Sequence, residues 1–507
     1  MEKNKRRGFI KNTIQAGVGL SLLGIENANA TEAKAPRPLK IKKNINPKKI
    51  VVGGAGMGGL CCAYELMRLG HDVTVLEASG RHGGHVFTVY DELSDGLYGD
   101  GGQEHITKPG YELYWHYIEE FGLTALPYER RKNLLRNING TFYDQKELND
   151  PSVLTAMGFN KKEVDFLATH PWGELKRLFI DSYLDKFEDE YQPFGIGYDD
   201  MDTIPMSDIY KKEGASEKAL ERLGGNNSSA LYELWYSFIL KNRGVAEFPI
   251  DVYHLKGGNQ MLPNAFAKRL GSRVWLNRQI TSIQNETNKV VVRYNENKEG
   301  KTIEADYYVN CIPPPALKKL PVEPAFSEEK QHALDNVTYD SYQRFVFQAS
   351  SKFWLEDGLE TINMDLGHPD LWSVWQSAEE VDTHRVIILG TGPGGISPQR
   401  ALAAFREAYP GKKDTIEQAL GRDWTKQKYA PTCERLAFPI GELKKLWPIL
   451  MQPEGRIHFA GAYADNLNWG TEAATRSQTA LRKKSIRLNN YLCTLGSLFL
   501  SHVQFLV

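Results

Sequence analysis

Gly54, Gly56 and Gly59 follow a short apolar run in the spacing G-x-G-x-x-G, and an acid, Glu77, comes about twenty residues on. Glycines and a carboxylate so placed can hold a dinucleotide. The first glycine makes a tight turn, the second lets the backbone approach a pyrophosphate, and the third lets a helix pack closely on a strand. The phosphates then meet a helix N-terminus, and the Glu77 carboxylate can accept hydrogen bonds from a ribose diol. That chemistry needs a strand–helix–strand unit around it. Ile50, Val51 and Val52 predict a buried strand, residues 57–69 a helix stopped by Gly70, and residues 72–76 a second strand closing on Glu77. A second cluster, Gly390, Gly392 and Gly395, has the same spacing after the apolar run 386–389. No strand ending in an acid follows it at the required distance, so it reads as a strand-to-helix loop rather than a nicotinamide site.

The chain of 507 residues exceeds one compact core, and two interleaved domains are expected. Its net charge of −1 supplies no basic surplus to neutralise phosphates, which argues against nucleic-acid binding. Five cysteines without a CxxC pair or a His/Cys cluster indicate neither a disulfide framework nor a metal site. Cys61 and Cys62, on the first helix, read as small buried hydrophobes. Arg6 and Arg7 precede an apolar stretch over 14–25 and then Ala28-Asn29-Ala30, the pattern of a twin-arginine export signal with its cleavage site. The protein is therefore expected to be periplasmic or secreted. The apolar tail over 491–507 carries Ser497, Ser501, His502 and Gln504, and reads as a packed or frayed terminus rather than a membrane anchor.

Residues 31–48, with three prolines among lysines, read as a linker behind the signal of 1–30. A first nucleotide-binding segment covers 49–110, and 111–250 is expected to be a mostly helical cap without strand alternation of any length. A second nucleotide-binding segment covers 251–315, a substrate domain 316–445, a third nucleotide-binding segment 446–485, and the tail 486–507. The fold class read from this order is α/β, a Rossmann-like domain interleaved with a mixed α+β substrate-binding domain.

Four motifs taken together resemble the flavin-dependent amine oxidase superfamily, which includes monoamine, L-amino-acid and polyamine oxidases. They are the opening glycines, Glu77-Ala78-x-x-Arg81-x-Gly83-Gly84, Leu255-Lys256-Gly257-Gly258-x-x-x-Leu262-Pro263 and Phe459-Ala460-Gly461. The resemblance implies bound FAD. Gly54, Ala55, Gly56 and Gly59 would then hold the pyrophosphate, Glu77 with Ala78 the adenosine ribose, and Arg81 and Gly84 the phosphate and ribityl region. His85 stands where the family has a second arginine. Ile280 would present backbone to adenine, Gly102 and Gln103 belong to the loop beside the isoalloxazine, and Trp424 would pack near that ring. Gly461, Ala462, Glu472 and Ala473 would cap it.

The implied reaction is hydride transfer from the carbon beside a substrate amine to the flavin, followed by hydrolysis of the imine to a carbonyl. Protein groups then orient the C–H bond, keep the amine neutral and exclude bulk water. The substrate would be a small amine, a polyamine or an amino acid. The electron acceptor would be O2 or a periplasmic carrier, and no metal is called for. The chain departs from the family at its catalytic positions. Arg344 replaces the lysine that holds a water at the flavin, and arginine cannot take that role in the same way. The paired aromatics that flank the amine fall at Glu434 and Gly470, with Trp469 one residue away. Glu434 reads equally as an attractor of a cationic amine and as a solvated loop acid. Cys433 aligns with the cysteine that carries flavin covalently in monoamine oxidases, although its neighbours differ. Two alternatives stand beside amine oxidation: a flavin desaturase or dehydrogenase acting on a non-amine compound, and an FAD-binding protein without catalysis.

Overall fold

Ile50, Val51 and Val52 are at most 2% exposed because the strand Lys49–Gly53 lies at the centre of a five-stranded, all-parallel sheet. The order across this sheet is Val274–Trp275, Asp72–Leu76, Lys49–Gly53, Tyr307–Asn310 and Ile457–Phe459. A parallel sheet covered on both faces requires continuous apolar runs, and these strands supply them. The computed structural model describes residues 35–340, 342–431, 436–467 and 470–484. The expected export signal and the apolar tail lie outside the described residues. Among the described residues no helix is long and apolar enough to cross a membrane.

The helix Met57–Arg68 packs on the sheet with all but Arg68 buried. A side chain at position 59 would place its Cβ 1.9 Å from the Gly54 carbonyl oxygen, so only glycine lets the helix start this close to the turn. Cys61 and Cys62 are buried in the same apolar cluster, as small hydrophobes. Among the described residues no group of three or more His, Cys, Asp and Glu could hold a metal ion. A four-stranded sheet, ordered Glu299–Ala305, Val290–Glu296, Gln279–Asn285 and Val322–Glu323, adjoins the parallel one and carries Ile280.

The third large sheet has seven strands. Their order is Ile416–Asp423, Tyr342–Ala349, Val386–Pro393, Leu371–Ser377, Met364–His368, Leu135–Ile138 and Thr141–Tyr143. Phe345, Phe347, Val374 and Ile388 pack on one face with Phe405 of the helix Pro398–Ala408. Val346, Trp375 and Leu389 point to the other face, with Arg344 beside them by the two-residue alternation. The strand Val386–Pro393 is antiparallel to both neighbours, so the second glycine cluster sits in no βαβ unit.

Short helices do fill much of the expected cap, and polar residues start them. Asp150 caps Pro151–Ala156, Asn160 and Glu163 form a capping box on Lys161–Leu167, and Ser229 caps Ala230–Asn242. The reading of this stretch as free of strands is corrected at Ala125–Tyr128, Leu135–Ile138 and Thr141–Tyr143. Strands of three or four residues show too little alternation to be recognised by period. The overlooked signal was Asn139-Gly140, whose positive φ values of 54° and 88° turn the chain between the last two of these strands.

Candidate active site

A cavity of ≈ 880 Å³ opens at the carboxyl end of the parallel sheet, where Gly54, Gly56 and Gly58 follow the first strand. The carboxyl ends of such strands are where open α/β sheets bind ligands. Gly84, at φ 58°, comes so near the first turn that a Cβ on it would lie 3.0 Å from the Gly56 Cα. The two glycine loops thus bare adjoining backbone to the cavity, a cradle that any side chain would fill.

Glu77 also lines the cavity and is held in place by its own loop. Its Oε2 accepts from Ala55 N at 2.7 Å, and its Oε1 accepts from Ser79 N at 2.8 Å and Ser79 Oγ at 2.7 Å. A carboxylate offers about four acceptor positions, so capacity remains for a diol. Ala55 acts through that N–H, Ala78 lines the cavity, and Gly59 serves the helix–turn contact rather than the wall.

Two guanidinium groups face the cavity beyond Glu77. Arg81 donates to the carbonyls of Gly84 at 2.5 Å and of His82 and Val86 at 3.3 Å. Arg422 comes from the seven-stranded sheet, and its Nε is buried without a hydrogen-bond partner among the described residues. Both cations lie over the same two rings. Arg81 is 4.9 Å from the Phe87 centroid and 5.9 Å from that of Trp424, and Arg422 is 4.6 Å and 5.0 Å away. Burial, and then the Arg422 charge, bring Arg81 down to about 10. Burial likewise lowers Arg422. Two cations held side by side on a cavity wall call for an anion between them.

The loop Gly101–Gln103 is fixed from three sides. Trp424 Nε1 donates to Gly101 O at 2.9 Å, Gln103 N donates to His85 O at 3.1 Å, and Arg344 Nε donates to Gly102 O at 3.3 Å. His85 lines the cavity with its ring edge-on to Trp424 at 4.6 Å. Arg344 is buried one layer behind the wall. Its Nη2 lies 3.6 Å from Glu104 Oε1, and Arg130 Nη1 is 2.6 Å from that same oxygen. Burial opposes charge on Glu104, but Arg130, His105 and Arg344 together hold its carboxyl well below the usual range.

The far wall is the N-terminus of the helix Gly470–Lys484. Gly470, Thr471 and Ala474 line the cavity, and Thr471 Oγ1 is buried with no hydrogen-bond partner among the described residues. Glu472 and Ala473 lie a fraction of a turn away and point elsewhere. Glu472 accepts from Leu113 N at 3.1 Å and Tyr114 N at 2.9 Å, which caps the helix Glu112–Phe121. Burial pushes its carboxyl up to about 7. Gly461 and Ala462 line the cavity, as do Ile280 and Trp424. Cys433, Glu434 and Trp469 lie outside the described residues.

The donor set suits a flavin dinucleotide: a glycine cradle at a helix start, an acid for a ribose, two arginines in no ion pair among the described residues for a pyrophosphate, and at a second helix N-terminus a hydroxyl without a partner among those residues. Arg422 and Thr471 were missed in the sequence. The available signal for Arg422 was its place two residues before Trp424, the spacing of one strand face.

The family model described as flavin-containing amine oxidoreductase matches residues 57–477. The L-amino-acid oxidase of Vipera ammodytes ammodytes is 28% identical over 476 residues, 87% of this chain and 93% of that protein. The L-amino-acid oxidase of Demansia vestigiata is 30% identical over 482 residues, 89% of this chain and 90% of that one. Two solved structures share the fold, each covering 86% of this chain and 98% of its own. They are the cyclohexylamine oxidase of Brevibacterium oxydans, with TM-score 0.69 and 20% identity, and a putrescine oxidase redesigned for cofactor binding, with TM-score 0.70 and 19% identity.

Proposed function

Because the chain belongs to the family of flavin-containing amine oxidoreductases, we propose that it binds FAD and oxidises a small amine at the carbon bearing the nitrogen. The imine formed is then hydrolysed to a carbonyl. The carrying observation is the cavity that joins Glu77, the Arg81–Arg422 pair and the Thr471 helix end in one space. FAD, when bound, supplies the hydride acceptor.

The remaining work falls to the chain. Backbone N–H groups at the start of the helix Met57–Arg68 would take the pyrophosphate, with Arg81 and Arg422 offsetting its charge. Glu77 would receive the ribose hydroxyls. The helix end at Gly470 and the Thr471 hydroxyl favour negative charge delivered to the cofactor. Arg344 holds the Gly102 carbonyl and so positions the loop. As a permanent cation it does not serve as a proton acceptor. Trp469 would form one side of an amine cage, and Glu434 would attract a cationic amine. A thioether from Cys433 to the flavin would be seen as flavin retained after denaturation.

The two L-amino-acid oxidases aligned over most of the chain favour amino acids as the first substrates to test. The arginines at residues 6 and 7 support export by the twin-arginine route, with O2 or a periplasmic carrier as electron acceptor. The deciding experiment is the visible spectrum of the purified mature protein, recorded anaerobically with amino acids, polyamines and aromatic amines. Bleaching by one class supports the reading and names the class. An oxidised-flavin spectrum that survives every amine rejects it in favour of a non-amine substrate.

A further inference from the structure

Behind the part of the cavity wall that follows the glycine cradle lies a layer of buried charge. Gly102 packs so closely on His85, the residue after Gly84, that a Cβ on it would lie 1.9 Å from the His85 carbonyl oxygen and 3.1 Å from the Trp424 ring. With a ribose at Glu77 and a pyrophosphate at the cradle, the ring system of a flavin dinucleotide falls to this stretch, where Gly102, Gln103 and Trp424 line the cavity. Glu104 comes directly after Gln103 and is 1% exposed.

One oxygen of Glu104 gathers three nitrogens. Oε1 lies 2.5 Å from His105 Nδ1, 2.6 Å from Arg130 Nη1 and 3.6 Å from Arg344 Nη2. Oε2 is buried with no hydrogen-bond partner among the described residues. The guanidiniums of Arg130 and Arg344 lie 3.9 Å and 5.3 Å from the centroid of the same ring, Trp375, so the carboxylate bridges two cations stacked on one indole. Arg344 Nε in turn donates to Gly102 O at 3.3 Å. Whatever else Arg344 meets, these contacts run from Glu104 through one guanidinium to the cavity wall. Burial opposes charge on Glu104, but Arg130, His105 and Arg344 outweigh it and hold the carboxyl well below the usual carboxylate range. Buried ion pairs stabilise a fold little better than apolar packing of the same volume, so stability alone gives no reason for this one beside a cofactor wall.

We propose that Glu104 is a positioning residue that sets the reduction potential of the bound flavin, by holding Arg344 at the Gly102 carbonyl and by placing a fixed negative charge one layer behind the ring system. Reduction brings negative charge to the cofactor. A carboxylate at that place disfavours the reduced form, and the Arg344 guanidinium favours it. The role rests on FAD binding in this cavity and not on which amine is oxidised.

The test is the midpoint potential of the flavin-loaded enzyme, measured by anaerobic reduction against a reference dye, so that no amine is needed. A unit charge acting over about 10 Å at an effective dielectric of about 20 shifts an equilibrium roughly tenfold, which is about 30 mV for a two-electron couple. Glu104→Gln keeps the shape and an acceptor oxygen but loses the charge, and should raise the potential by that amount. Arg344→Met should lower it similarly, and Glu104→Asp, which keeps the charge, should stay near the parent. A loop that was merely loosened would move the Gln and Asp variants together and would not give opposite signs at Glu104 and Arg344. An unchanged potential in Glu104→Gln, or shifts of one sign in all three variants, overturns the proposal. If Glu104→Gln does not fold, the other two variants decide: a lowered potential in Arg344→Met beside a parent-like Glu104→Asp supports the role, and equal shifts overturn it. A parent protein that takes up no flavin overturns the cofactor reading itself, a result seen before any potential is measured.

Discussion

Arg422 is the residue that most changes the reading of the site, because it brings a cation from the seven-stranded sheet to a cavity built largely on the parallel one. Replacing it with Gln removes one charge-assisted partner of an anion, worth roughly ten- to a hundredfold in affinity. FAD titrated into the apoprotein, followed by flavin fluorescence, should show that loss together with a shallower salt dependence. Unchanged affinity would place Arg422 outside the cofactor site. Lys330 makes a second prediction at this scale. It is fully buried, bonds the carbonyls of Ile449, Leu450 and Gln452, and stands 3.8 Å over the Phe459 ring. Burial brings its ammonium down to about 7, with Glu454 opposing. A lowered folded-state value means that the folded protein prefers the neutral amine, so stability rises as pH climbs from about 7 toward the ordinary lysine range near 10.4. Melting curves should show this rise in the natural protein and its loss in Lys330→Met, and parallel curves would refute it.

At the scale of elements, the helices Gly470–Lys484 and Glu112–Phe121 are tied by one side chain. Glu472 takes two N–H groups of the second helix, so Glu472→Ala should cost about 1–2 kcal/mol in a denaturant titration, as lost N-caps do. Glu472→Gln, which keeps an acceptor oxygen, should cost less. An alanine variant as stable as the parent would remove the cap from the account. The helix Met57–Arg68 depends on a bare position. Gly59→Ala would force its start away from Gly54 and should destabilise the unit by several kcal/mol, in the range of strain at a special backbone site. Elements also mark where sequence reading stopped. The strand Lys49–Gly53, its helix and Glu77 were legible because their signals are local and strong. Leu135–Ile138 and Thr141–Tyr143 were not, being no longer than two alternation periods.

The whole molecule is closed around its cavity by segments hundreds of residues apart, from Gly54 to Ala474. A ligand bound only in that closed state stabilises every segment at once. FAD at a hundredfold excess over its Kd should therefore raise folding stability by about 2.7 kcal/mol. Calorimetry of apo- and holoprotein should show the melting temperature climbing with FAD concentration, and a melt indifferent to FAD would deny the site. Within the chain itself, short-range signals determined the nucleotide unit, the fold class and the family likeness, because glycine spacing, apolar runs and turns act over a few residues. Only the tertiary structure decided that Arg422 joins Arg81, that Arg344 stands behind Gly102 rather than on the wall, that Glu472 caps a helix, and that Arg136 stands beside Asp365. Those pairings depend on sheet register and on the packing of distant strands, and neither is encoded in any one stretch of the chain.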